Sequence, residues 1–244
     1  MFKKLKNVNW RPRFVIGLIV GISFVASIIF VIVRLFFAPN VINTNIPFQK
    51  LRSDYFLMLM QCALGLFLIF LPYIIERKWK IFLPDMMYVL CFIFLYCAIY
   101  LGEVRSFYYT VPHWDTILHA LSAAMLATLG FNLVNILNDA QNIKMDMSPF
   151  FVAFFAFCFS VACGAIWEIY EYTFDGILHF NMQKFATQTG TDLIGRAALY
   201  DTMKDIIVDT LSSLAISILG YVNLRYRLHV EKHKTSLNEG SHTN

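Results

Sequence analysis

Six stretches of this chain are apolar for roughly the 20 residues that a helix needs to cross a hydrocarbon layer about 30 Å thick. They are Phe14–Phe37, Tyr55–Ile75, Ile81–Leu101, Trp114–Leu137, Pro149–Tyr172 and Thr202–Leu224, the last weakened by its acids. No other property constrains the fold as strongly. Lipid offers backbone N–H and C=O groups no water to bond, so a spanning chain must satisfy them within a helix or a closed barrel. Runs of this length call for helices. Composition agrees, with 58% of the 244 residues hydrophobic and 15% charged, against about 45–50% and about 25% in soluble domains. The expectation is an all-α polytopic membrane protein, a bundle of six transmembrane helices.

The first stretch follows basic residues, as a secretory leader would. Its apolar run is longer than the usual leader core of about 7–15 residues, and no small-residue cleavage pattern follows, so it reads as a retained helix. Lys and Arg in short flanking loops set orientation. With the N-terminus inside, Lys3, Lys4, Lys6, Arg11, Arg13, Arg77, Lys78, Lys80, Lys144, Arg225, Arg227, Lys232 and Lys234 are cytoplasmic, thirteen of the twenty basic residues. Both termini are therefore expected in the cytoplasm, with the protein multi-pass in the cell (inner or plasma) membrane. The expected division is a basic cytoplasmic N-terminus over 1–13, scaffold helices one to three over 14–101, site-bearing helices four to six over 102–224 with an outer loop at 176–200, and a polar cytoplasmic tail over 225–244. The net charge of +4 needs no nucleic acid partner; basic ends suit an anionic lipid leaflet. Cys62, Cys91, Cys97, Cys158 and Cys163 all fall inside the stretches, match no zinc spacing, and read as small buried apolar residues.

Charge is distributed unevenly. The first three stretches are nearly free of it, and Asp85 reads as an interfacial cap. The last three each carry a polar stripe. Asp115, His119 and Ser122 lie at i, i+4 and i+7, within about 60° on a helix at 100° per residue; Glu168, Glu171 and Asp175 span about 60°, and Asp201, Asp205 and Asp209 about 80°. With the N-terminus inside, all three stripes reach the outer half of the membrane. A carboxylate at mid-helix costs about 2.5–3.5 kcal/mol on insertion scales, and such residues usually face a protein interior with a partner. Acids with a histidine are the ligands of magnesium, manganese, iron or zinc, and helix bundles build such sites from Glu and His one turn apart.

A divalent metal ion is thus the expected cofactor, with Asp115, His119, Glu168, Asp201, Asp205 and Asp209 as candidate ligands. Glu171 and Asp175 are the candidate catalytic bases. Plainer roles exist for single residues. Asp115 and Asp201 suit helix N-caps, His119 alone suits a hydrogen-bonded interior position, and Glu171 and Asp175 suit a solvated helix end. None of these covers Glu168, Asp205 and Asp209 together. The loop after the fifth stretch mixes polar residues (His179, Asn181, Gln183, Asp192, Arg196) with Phe180, Phe185, Leu193 and Ile194, a composition fit for a cover over an outer site.

The blocks WD-x3-H at 114–119, WE-x2-E-x3-D at 167–175, MQ at 182–183 and DT-x2-D-x3-D at 201–209 resemble the YjdF-like bacterial inner-membrane proteins, in order, over about residues 100 to 220. The segment between Gln183 and Asp201 departs from that pattern. The resemblance implies a six-helix membrane protein with a shared polar site and supplies no reaction. From the residues themselves, the leading expectation is a metal-dependent hydrolase or transferase acting on a lipid-linked or anionic substrate. The alternatives are a metal-ion or proton transporter, and a nonenzymatic lipid-binding or regulatory membrane protein. Almost wholly apolar inner halves weaken the transporter, though Ser160, Ser213 and Ser217 offer it a narrow polar route.

Overall fold

The computed structural model describes residues 12–39, 50–79, 83, 85–140, 147–187 and 190–241, without the side chains of 79, 135–140, 231–232 and 234–241. Of the basic residues used for orientation, Lys3, Lys4, Lys6, Arg11, Lys80 and Lys144 lie outside the described residues. The helices are α1 (Pro12–Phe37), α2 (Arg52–Leu68), α3 (Leu71–Trp79), α4 (Asp85–Leu95), a π-helix (Tyr96–Val104), α5 (Phe107–Thr110), α6 (Trp114–Ala140), α7 (Pro149–Leu178), a short 3₁₀ turn (Gly195–Ala197) and α8 (Tyr200–Ser241). Among the described residues, six spans are long and apolar enough to cross a membrane: Pro12–Phe37, Arg52–Lys78, Asp85–Val104, Trp114–Val134, Pro149–Leu178 and Tyr200–Val230. The protein is an all-α, polytopic membrane protein. Its second span combines α2 and α3, its third α4 and the π-helix. Beyond Leu224, where hydropathy ends, α8 continues to Ser241.

The chain divides into two compact units, residues 1–118 with 172–199, and residues 119–171 with 200–244. In the first, α1 packs on α2 and α4. Glycines set the approach, since a Cβ on Gly17 would stand 2.9 Å from the Phe92 ring and one on Gly65 would stand 2.7 Å from the Phe24 ring. Lipid tails are as apolar as leucine, so helices in a membrane associate through close packing of this kind and through polar ties rather than by escaping water. Arg13 pairs with Asp85 at 3.1 Å and lies over the Tyr88 ring, while the Tyr88 hydroxyl donates to Glu76. At the other end of α1, Arg34 Nε donates to the Tyr55 hydroxyl at 3.0 Å. Outward side chains are apolar, Phe37 at 81% exposed being an extreme case, as lipid requires.

The first three spans carry more polar structure than their hydropathy predicts. A π-helix has wider turns than an α-helix, recurs at functional sites, and here donors arrive from outside it. The Trp114 indole donates to the Cys97 carbonyl at 3.3 Å, and Lys50 Nζ donates to the Glu103 carbonyl at 2.8 Å. The Gln61 amide donates to the Glu103 carboxylate at 3.3 Å. Of the cysteines, Cys62 is buried but Cys158 is exposed, and those described are unpaired.

The second unit holds α6 from His119 onward, α7 up to Glu171, and α8. A Cβ on Gly130 would stand 2.8 Å from the Ala156 Cα, so α6 and α7 approach backbone to backbone. The Ser213 hydroxyl donates to Ser160 Oγ at 2.7 Å, and Ser160 donates to the Ala123 carbonyl at 2.8 Å. Both hydroxyl protons are spent on helix-to-helix ties.

Candidate functional site

His119, Asp205 and Asp209 converge within the second unit, all buried. His119 Nδ1 faces the Asp209 carboxylate at 3.3 and 3.4 Å. Its Nε2 stands 3.8 Å from Asp205 Oδ2, beyond hydrogen-bond length. The two acids are one turn apart on α8, so one imidazole meets both. Gly164 of α7 lies behind Asp209, and a Cβ there would come within 3.2 Å of the Asp209 Cγ and closer still to Oδ2. A bare backbone is what lets the carboxylate occupy that place.

Glu168, one turn after Gly164, is also buried. Its polar surroundings are His119, Asp205, Asp201 and the Thr202 hydroxyl. Four carboxylates thus belong to this group, and the chain supplies a cation that the acidic stripes did not announce. Lys204 Nζ stands 3.3 Å from Asp201 Oδ1 and 3.3 Å from Asp205 Oδ1. The signal was in the sequence as the basic residue inside DTMKD.

The remaining expected site residues have other surroundings. Asp115 begins α6 one turn before His119 on the same helix and forms an ion pair with Lys184. Glu171 accepts the Trp167 indole N–H at 2.9 Å in an exposed pair. Asp175, in the first unit, accepts the backbone N–H of Met182 on Oδ1 and of Gln183 on Oδ2, each at 2.9 Å. Both of its oxygens therefore hold the loop after α7. That loop ties itself further: Asn181 donates to the Ala186 carbonyl at 2.8 Å and accepts the Ala186 N–H at 3.0 Å, and Leu193 N–H donates to the Phe185 carbonyl at 2.8 Å. Lys184 takes a positive φ of 50°, uncommon for a residue with a side chain, beside its pairing with Asp115.

A family model described as "Predicted membrane protein (DUF2238)" matches residues 14–226. The chain belongs to that family. Membership covers all six spans and the acid and histidine blocks, in agreement with the resemblance to bacterial inner-membrane proteins drawn from those blocks. A relative from Thermotoga maritima, described as "Uncharacterized protein", is 26% identical over 152 residues, 62% of this chain and 70% of its own length. No solved structure matches this DUF2238 chain significantly. The family description states membrane residence and no reaction, so the chemistry must be argued from the side chains.

Proposed function

We propose that the protein is a metal-dependent membrane enzyme, a hydrolase or transferase acting on a lipid-linked substrate near the outer face of the cell membrane. One observation carries this reading: the two nitrogens of His119 have different partners. Nδ1 is held by Asp209 at hydrogen-bond range, and Nε2 faces Asp205 across 3.8 Å. A metal-binding histidine characteristically gives its other N–H to a carboxylate, which fixes the tautomer and the ring plane. In this scheme Asp209 orients the imidazole, and His119 Nε2 and Asp205 are ligands. Lys204, 3.3 Å from both Asp201 and Asp205, balances part of their charge in the absence of the ion.

A divalent ion at such a site polarises a phosphoryl or carbonyl oxygen and acidifies bound water. Glu168, buried beside His119 and Asp205, would serve as the base for such water. Carboxylate and imidazole ligands suit magnesium, manganese, iron or zinc alike. Transport of the ion is the second reading. It needs a polar path through the whole span, and Ser160 and Ser213 have committed their hydroxyl protons to each other and to Ala123, which favours packing over conduction.

The test is metal content of the full chain purified in detergent, beside His119→Ala and Asp205→Asn. Stoichiometric metal lost in both variants is the expected result. Folded wild type that binds no divalent ion when challenged, with both variants equally inert, removes the reading.

A further inference from the structure

The first unit contains a second feature, which shares no residue with the group of His119, Asp205 and Asp209. A cleft of about 520 Å³ opens where α1 ends, α2 begins and α7 gives way to its loop, within the range of about 300–1,000 Å³ typical of small-molecule sites. Leu35, Phe56, Leu178 and Phe180 wall it, while Arg52 and Ser53 form its polar lining. Phe56 and Phe180 lean on each other with ring centroids 6.4 Å apart. Because all three helices reach the cleft by their ends, it lies at the level where hydrocarbon meets headgroups. The neighbouring Phe36 and Phe37 are 76% and 81% exposed and mark the side that lipid touches.

The charge in this corner is positive. Three cations, Arg34, Lys50 and Arg52, gather here against two acids, Glu103 and Asp54, and the Asp54 carboxylate is engaged as an acceptor for the Leu51 N–H at 2.7 Å. Arg34 is tied to Tyr55 and Lys50 to the Glu103 carbonyl. Arg52 is exposed and donates from Nε to the Leu35 carbonyl at 3.4 Å; its terminal amino groups make no hydrogen bond among the described residues. A planar guanidinium offering paired donors beside an apolar slot matches a phosphate bearing a hydrocarbon chain.

We propose that this cleft binds an anionic phospholipid, with the phosphate on Arg52 beside the Ser53 hydroxyl and one acyl chain between Leu35, Leu178 and the Phe56–Phe180 pair. The site stands apart from the proposed metal chemistry and does not depend on it. Net positive charge selects an anionic over a zwitterionic headgroup, and the apolar wall selects a lipid over free phosphate.

Native mass spectrometry of the detergent-purified full chain tests it, with phosphatidylglycerol and phosphatidylcholine of identical chains as probes. Wild type should retain phosphatidylglycerol preferentially. Arg52→Gln should lower that retention about tenfold, the loss of a charge-assisted contact, while Arg196→Gln on the exposed 3₁₀ turn should not. Should Arg52→Gln fold poorly, Phe56→Trp supplies a second reading. Its added fluorescence should be quenched more by acyl-brominated phosphatidylglycerol than by brominated phosphatidylcholine. Equal retention of the two lipids by wild type, or equal quenching, overturns the proposal.

Discussion

The Asp209 carboxylate occupies space that any side chain at Gly164 would need, with its Cγ 3.2 Å from where a Cβ would stand. The same carboxylate holds His119 Nδ1. A glycine on one helix thereby fixes an acid on a second, and the acid fixes a histidine on a third. Gly164→Ala should push Asp209 off the ring without unfolding the bundle, because the atom in the way is the tip of a side chain. Removing an orienting carboxylate typically costs about 10–100-fold in metal affinity, and titration of the purified variant should show a loss in that range. Gly130→Ala is the contrast. There the obstacle is the Ala156 backbone, and overpacking of about 1–3 kcal/mol should lower thermal stability instead. Unchanged metal affinity in Gly164→Ala would refute the orienting role.

The serine tie in the second unit predicts a small, pairwise effect. A double-mutant cycle with Ser160→Ala and Ser213→Ala should give a coupling near the average of about 0.6 kcal/mol for hydrogen bonds between membrane helices. Ion flux into proteoliposomes should be the same in both variants. A flux that collapses in either one would restore the polar-route reading and sink the packing interpretation.

Asp175 predicts a local effect on the loop. Asparagine in its place has one acceptor oxygen for two amides and turns an NH₂ group toward the other. Hydrogen exchange at Met182 and Gln183 should quicken in Asp175→Asn while metal content stays at the wild-type level. Loss of metal with unaltered exchange would return Asp175 to the chemistry.

Lys50 gives the pH dependence. Burial lowers the affinity of its ammonium for the proton relative to an ordinary lysine, with Glu103 and Asp54 opposing that shift and Arg34 adding to it. The unfolded chain keeps the proton up to the ordinary lysine value, whereas the folded chain releases it earlier. Between those two points the unfolded state binds more protons, so stability rises with pH in that window. Melting temperatures in detergent from about pH 8 to about pH 10.5 should climb in wild type relative to Lys50→Met, which lacks the titrating group. Parallel curves for the two proteins would contradict the assignment.

The helices were legible because a span needs some 20 apolar residues, and that requirement leaves a long, unbroken mark. The stripe of Asp205 and Asp209 was legible because a helix repeats its faces every three or four residues. Other features left no such mark. Glu103, Lys50 and Gln61 are distant in sequence and meet only once α2 and the π-helix pack, so no period connects them. Lys204 sat in plain view but was outweighed by the acids beside it. Asp175 matches its stripe in register, yet its partners are backbone amides of a loop whose course no side-chain pattern specifies. Gly164 was invisible for the opposite reason, since its contribution is the absence of an atom.

α8 counts 42 residues, about 63 Å at 1.5 Å per residue, roughly twice the hydrocarbon thickness. The helix runs on past the apolar span Tyr200–Val230 to Ser241, and its first turns bear Asp205 and Asp209. One unbroken rod therefore joins the polar end of the chain to the two carboxylates.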